Sequence, residues 1–219
     1  MQVKLISVTP DSEKVIGYCA RVSNPKNQDN PNVTKLLKYC WDNGHVSIFS
    51  MATMCVEVET SRAVSHQILR HWSMYFHELD AQEFSQRYAE VQGFEPVTPR
   101  RQDTKDRQNS VDDLDNDSKE WFVNNMKYLT DYAQTLYEIA LQKGIAKECA
   151  RFFLPECAIS KFYLSGNLRN WITYLNLRTG HGTQLEHQEV AKAIQEIFKK
   201  EFPIISQAIG WVNDNSASS

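Results

Sequence analysis

The chain has 219 residues and a mass of 25.3 kDa, which fits one domain burying roughly 70% of the surface exposed by its unfolded form. A composition of 42% hydrophobic, 11% aromatic and 23% charged residues argues against disorder, collagen and coiled coil. The net charge of -3 leaves no broad basic field for nucleic acid, and no apolar run reaches the ~20 residues that span a bilayer.

Val3 to Val8 reads as a strand ended by Thr9-Pro10. Asp11 or Ser12 then caps a helix through Val15, Ile16, Tyr18 and Cys19. A polar loop bounded by Pro25 and Pro31 precedes a helix from Val33 to Asp42, with Gly44 past its end. Ala52 to Glu59 alternates, placing Met54, Val56 and Val58 on one face of a strand. Thr60 or Ser61 caps a helix reaching about Trp72, and Phe84 to Val91 is expected to be another strand. Pro96 to Asp117 is a polar stretch, expected to be functional or disordered. Ser118 caps a long helix through Ala133 and Ile139, closed by Gly144. Short helical pieces follow from Ala146 to Phe153, and Phe162 to Leu164 is extended. Leu168 to Leu177 and Gln184 to Phe202 are helical, with Val190, Ala191, Ile194 and Phe198 at helical spacing. The expected class is α+β, a mixed or antiparallel sheet packed against several helices in one domain over 1–212, with a flexible tail over 213–219.

The five cysteines form no CxxC pair and are odd in number, and Met1 to Leu5 opens no signal-peptide core, so a reduced, cytoplasmic setting is expected. Cys19, Cys40 and Cys55 read as core residues. His66 and His71 lack zinc-helix spacing and the acidic cluster Asp112-Asp113, Asp115, Asp117 lacks EF-hand spacing, so no metal site is expected. No GxSxG, P-loop or dinucleotide glycine turn occurs. The arginines carry more information. Arg70, Arg151, Arg169 and Arg178 lie within or at the ends of apolar segments, where a guanidinium needs an anionic partner to offset its desolvation.

Several segments in order resemble flavin-dependent thymidylate synthase. They run from Val3-Lys-Leu-Ile-Ser-Val-Thr-Pro10 and Ala20-Arg-Val-Ser23 through Asn43-Gly-His45 and Glu59-Thr-Ser-Arg62 to Gln67-Ile-Leu-Arg-His71. Gln82-Glu-Phe-Ser-Gln-Arg-Tyr88, Arg107-Gln-Asn-Ser110, Ala150-Arg151 with Leu154-Pro155, Asn167-Leu-Arg169 and Leu175-Asn-Leu-Arg178, leading into Gln184 and Glu186, complete the set. The resemblance implies a thymidylate synthase-complementing-type fold and a homotetramer with shared active sites. It implies FAD as cofactor, with NADPH and methylenetetrahydrofolate as co-substrates, and reductive methylation of dUMP to dTMP without a cysteine nucleophile. It places Gln67, Arg70, Glu83, Ser85, Gln86, Arg87 and Arg151 on dUMP, with Arg151 coming from a neighbouring subunit. Arg178 matches the catalytic arginine against the uracil ring. Ser47, Arg70, His71, Trp72, Glu83, Asn167, Arg169, Thr173 and His45 match the flavin side of the site.

Three departures stand near the flavin and folate region. Trp72 replaces the second arginine of the Arg-His-Arg signature, residues 77–81 look inserted, and Ser50 stands where glutamate is frequent. They leave open a related flavoenzyme that makes a 5-hydroxymethyl pyrimidine nucleotide, or a nucleotide- and flavin-binding homologue without turnover.

Overall fold

The computed structural model describes residues 1–75 and 80–212, with the side chains of all of these except 71–75 and 80. Strand β1 (Gln2–Val8) pairs with β2 (Thr53–Ser61), and β3 (Asp80–Glu83) forms the far edge of the same sheet. Two short strands, β4 (Arg101–Gln102) and β5 (Ser110–Val111), pair apart from it. The last strand, β6 (Ile159–Asn167), enters between β2 and β3, so the order is β1-β2-β6-β3 and every pairing is antiparallel. Period-two alternation puts Met54, Val56, Val58, Phe162 and Leu164 on one face, and all five are fully buried. The opposite face is polar. There the Tyr163 hydroxyl donates to Glu57 at 2.7 Å and Lys161 pairs with Glu59 at 3.2 Å.

The helices in chain order are α1 (Ser12–Ala20), α2 (Thr34–Asp42), α3 (Arg62–Tyr75), α4 (Asn116–Gln142), α5 (Lys147–Ala150), α6 (Leu168–Arg178), α7 (Leu185–Glu201) and α8 (Pro203–Ala208). Helices α3, α6 and α7 cover the apolar sheet face, and α1, α2 and α8 close the core beside them. Trp171, Tyr174 and Leu175 of α6 meet Val190, Ala191, Ile194 and Phe198 of α7 there, none of them exposed. The α+β expectation is met with a purely antiparallel main sheet.

Local details depart from the expected ones for physical reasons. Asp11 sits at the N-cap of α1 in the left-handed region at φ 49°, and its carboxylate is drawn off by Lys14 at 2.8 Å instead of capping. Neither Thr60 nor Ser61 caps α3. Both belong to β2, and the first amides of α3 donate to carbonyls of Ala158 and Glu156 at 3.0 and 3.1 Å. Asp115, not Ser118, caps α4: its carboxylate accepts from the Ser118 amide at 2.7 Å and the Ser118 hydroxyl at 3.0 Å. The strand expected at Phe84 to Val91 lies earlier, at Asp80–Glu83; after Phe84 the chain turns, with the Tyr88 and Ala89 amides donating to the Ser85 carbonyl. Asp80 and Ala81, read as part of an insertion, pair with Ser165 and Leu164 of β6, whereas residues 76–79 and the tail 213–219 lie outside the described residues. The polar stretch after Pro96 contains the β4–β5 ladder, tied by Arg101 to Asp113 at 2.6 Å. The last helical segment breaks at Phe202, because Pro203 lacks the amide that would continue it, and α8 starts there.

Helix α4 stands apart. Its C-terminal half packs Tyr137 and Ala140 on Ala150, Leu141 and Leu154 as a small second core. Its first two thirds leave Trp121, Tyr128 and Tyr132 exposed on one face.

Two stability tests follow from this packing. Gly17 of α1 is buried against Val33, and a Cβ there would stand 2.2 Å from Val33 Cγ1. Gly17→Ala is expected to destabilise the fold by about 1–3 kcal/mol in denaturant titration, because Val33 has no free space to enter. Glu95 ties the chain together across the end of β2. It accepts from the Thr60 hydroxyl at 2.9 Å and the Ser61 amide at 2.6 Å, and pairs with the Met1 amine at 2.9 Å. Burial alone pushes its carboxyl up, but these donors together outweigh burial and hold it below the ordinary 4.5. A depressed folded value gives stability that is full above the unfolded value and lost as pH falls through the folded one. The stability advantage of the native chain over Glu95→Gln is therefore expected to be full above the ordinary 4.5 and to shrink as the pH falls below it, read from melting curves.

Candidate active site

The structure gathers the candidate side chains into three groups around the sheet and its helices. The first joins α3, the end of α6 and the start of α7. Gln67 projects from α3 and donates through Nε2 to Gln184 Oε1. Gln184 Nε2 donates to Glu186 Oε2 at 2.8 Å, and Arg100 pairs with Glu186 at 2.7 Å. Arg100 Nε donates to the Ser110 hydroxyl of β5 at 2.9 Å. Burial pushes the Glu186 carboxyl up, but hydrogen bonds from Gln184, its helix backbone and Arg100, with the Arg100 charge, outweigh it and keep it low. Arg178 is the last residue of α6, half-buried. One turn earlier, Tyr174 is fully buried with its hydroxyl 3.0 Å from His187 Nε2 of α7. Burial drives the Tyr174 phenol strongly up and the positive charge of Arg178 acts against it, so Arg178 stands beside a neutral phenol.

The second group lies where the chain turns after β3. Ser85, Gln86 and Arg87 occupy this turn, and the Arg87 amide faces Ser85 Oγ at 3.3 Å. Arg87 Nε donates to Glu148 of α5 at 2.9 Å, and Arg151 Nε donates to the Glu148 carbonyl at 3.3 Å. Arg87 and Arg151, 64 positions apart, thus share one neighbour within a single chain. Their guanidinium groups lie 5.9 and 5.8 Å from the rings of Tyr88 and Phe152, both strongly exposed. The Arg87–Glu148 pair is half-exposed, so water screens it and its worth is at most about 1 kcal/mol. An anion with two or three oxygens can displace it. Gln86, the residue before Arg87, is buried and its Nε2 has no hydrogen-bond partner among the described residues, an orphaned donor.

The third group is a groove of about 510 Å³ between α2, the 3-10 helix Val46–Met51 and α6. Trp41, Val46, Phe49, Ile172 and Leu177 form its apolar wall, and Arg169, Thr173 and Asn176 supply its polar groups. Ser47 is exposed on the 3-10 helix, and His45 packs edge-on to Tyr39 at 6.0 Å between ring centres. Asn167 is the N-cap of α6, its Oδ1 accepting from the Asn170 amide at 3.0 Å, and the Thr173 hydroxyl donates to the Arg169 carbonyl at 3.0 Å. An apolar wall with an arginine in its lining suits a planar ring system that carries a phosphate, and the volume falls within the ~300–1,000 Å³ of small-molecule sites.

Glu83 is half-buried at the end of β3. It accepts from the Ser65 and Ser160 hydroxyls at 2.8 and 2.7 Å, with Arg62 at 3.8 Å. Arg70 is exposed on α3, while His71 and Trp72 lie in that helix with side chains outside the described set. Arg21, which is not among the arginines beside apolar runs, is buried, and its guanidinium donates to the Asn30 and Asn32 carbonyls, both at 2.6 Å, and holds the loop before α2. Glu148 and His187 were not expected at the site. Their sequence surroundings carry no distinguishing signal, since their partners lie 61 and 13 residues away. Among the described residues no group of three His, Cys, Asp or Glu side chains can hold a metal ion, and no helix is long and apolar enough to cross a membrane.

An antiparallel sheet under helices, a half-exposed arginine pair and an apolar groove lined in part by arginine define an α+β protein whose geometry suits phosphorylated, planar ligands. The profile of the thymidylate synthase complementing protein family matches residues 4–204, and the chain belongs to that family. It is 46% identical to the flavin-dependent thymidylate synthase of Synechocystis sp. over 96% of this chain and the whole of that one. It is 48% identical to a probable flavin-dependent thymidylate synthase of Paramecium bursaria Chlorella virus 1, over 97% of this chain and all of the other. Among solved structures, the UMP/dUMP methylase PolB of Streptomyces cacaoi bound with 5-Br UMP superposes with a TM-score of 0.81 at 26% identity, covering 94% of this chain and 92% of that one. The same methylase bound with 5-Br dUMP gives a TM-score of 0.82 at 24% identity and shares the fold.

Proposed function

We propose that this protein converts dUMP to dTMP, with methylenetetrahydrofolate as carbon donor and FAD, reduced by NADPH, as cofactor. The observation that carries the reading is the Arg87–Arg151 pair with the orphaned Gln86 donor, in a chain whose full-length relatives bear the name flavin-dependent thymidylate synthase.

Ser85, Gln86, Arg87 and Arg151 hold the nucleotide phosphate: its oxygens replace the Glu148 carboxylate, and the buried Gln86 amide gains its acceptor. Gln67 and Arg70 hold the nucleotide from α3, and Glu83 ties Arg62 and Ser65 of that helix to Ser160 of β6. Arg178 faces the pyrimidine ring. Its permanent charge stabilises the negative charge that develops on the ring as C5 becomes nucleophilic. The groove lined by Arg169 and Thr173 holds the flavin ring system and a phosphate, and the family resemblance assigns His45, Ser47, Asn167, His71 and Trp72 to the flavin as well. When bound, the flavin supplies the hydride. The Cys40, Cys55 and Cys157 thiols are pushed up by burial, which suits packing and not attack on the pyrimidine.

The chain works as a homotetramer with shared sites. The exposed Trp121, Tyr128 and Tyr132 face of α4, and the exposed Tyr88 and Phe152 beside the arginine pair, support burial between subunits. Five free cysteines suit a cytoplasmic setting.

The test is a product assay. Purified protein is expected to carry flavin absorbance and, with dUMP, methylenetetrahydrofolate and NADPH, to yield a nucleotide with the mass of dTMP. A 5-hydroxymethyl product, or no uptake of added FAD, would overturn the reading.

A further inference from the structure

The chain Arg100–Glu186–Gln184–Gln67 has a direction set by chemistry. A carboxylate only accepts, and Glu186 is held ionised between Arg100 at 2.7 Å and Gln184 at 2.8 Å. Gln184 must therefore turn its NH2 toward Glu186 and its carbonyl toward Gln67. Gln67 must in turn give Gln184 one N–H, which leaves its Oε1 and its second N–H facing away from α7. An unsupported glutamine exchanges its two ends by a simple rotation. Here the rotation breaks a bond to an anchored carboxylate. The anchor is firm because Arg100 and Glu186 are only 11% and 21% exposed, and Arg100 is also held by Ser110 at 2.9 Å.

We propose that Arg100, Glu186 and Gln184 are positioning residues for the nucleotide, acting through Gln67 by fixing the direction of its carboxamide. The inference rests on the reading of Gln67 as a nucleotide contact. It ties the β4–β5 ladder, which holds Ser110, to substrate binding, so that a surface hairpin supports the site at the end of α6. A residue of this kind acts on binding more than on chemistry. Its loss raises KM for dUMP and leaves kcat close to its original value.

The experiment is a double-mutant cycle on the flavin-loaded enzyme, using Glu186→Gln, Gln67→Ala and the pair together. Glu186→Gln preserves shape but can donate as well as accept, so the direction of the chain is lost. It is expected to raise KM for dUMP about tenfold, the scale of one well-placed hydrogen bond, with kcat changed less than about twofold. Gln67→Ala is expected to raise KM at least as much, and the double variant no further. Multiplying effects in the double variant, or an unchanged KM in Glu186→Gln, would overturn the relay while the Gln67 contact stands. An unchanged KM in Gln67→Ala instead removes the reading on which the relay rests. Should Glu186→Gln not fold, Arg100→Lys, which retains charge and loses the planar fork, runs the same cycle with the same expected outcomes.

Discussion

Replacing Arg178 by Ala is expected to lower kcat by about a thousandfold, the scale of removing one donor aimed at developing charge, while the protein still folds and still takes up flavin. Arg178 is the last residue of α6 and only half-buried, and the apolar residues by which that helix fills the core precede it. Its charge also opposes the negative C-terminal end of the helix, a contribution of well under about 1 kcal/mol at a partly exposed site. The fold thus loses little and the reaction much. Arg178→Lys is expected to recover part of the loss, because it restores the charge without the planar fork. Steady-state turnover with dUMP, set against flavin absorbance and melting temperature, separates these effects. Turnover near normal in the alanine variant would remove Arg178 from the mechanism.

Trp171→Ala carries the largest expected cost to the fold. Trp171 is fully buried beneath the sheet, its ring lies edge-on to Tyr174 at 6.0 Å between centres, and its Nε1 donates to the Met54 carbonyl of β2 at 2.9 Å. The substitution leaves a large cavity where α6 crosses the sheet, for about 3–5 kcal/mol. For a chain of this length that lowers the melting temperature by about 10 °C. Trp171→Phe keeps most of the volume and loses the hydrogen bond, so a smaller loss of about 1–3 kcal/mol is expected. Denaturant titration of the three proteins orders them. Since Tyr174 and Arg178 lie on the same helix, the alanine variant should also lose activity before it unfolds globally.

Elements with a buried stripe of their own were readable along the chain. Met54, Val56 and Val58 alternate because β2 has one apolar face, and Val190, Ala191, Ile194 and Phe198 recur because α7 has one apolar stripe. Boundaries made by distant partners were not. The start of α3 depends on carbonyls at Glu156 and Ala158, nearly a hundred residues away, and no local capping residue reports it. The edge strand β3 has only four residues, too few for an alternation to stand out, and it is defined by its ladder to β6.

The candidate site divides in the same way. The sequence by itself determined the inventory: an ordered set of motifs from Val3 to Glu186, which marks a member of one family, and a set of arginines beside apolar runs. The tertiary structure alone decided which of these groups act together. Arg87 meets Arg151 through Glu148, Glu83 is held by Ser65 and Ser160, and Gln67 meets Gln184, which bonds to the Glu186 carboxylate that Arg100 pairs with. The reason is physical. Burial periodicity is a property of one segment and is written along it, whereas a hydrogen bond or ion pair exists only once folding has brought two segments within about 3 Å of each other.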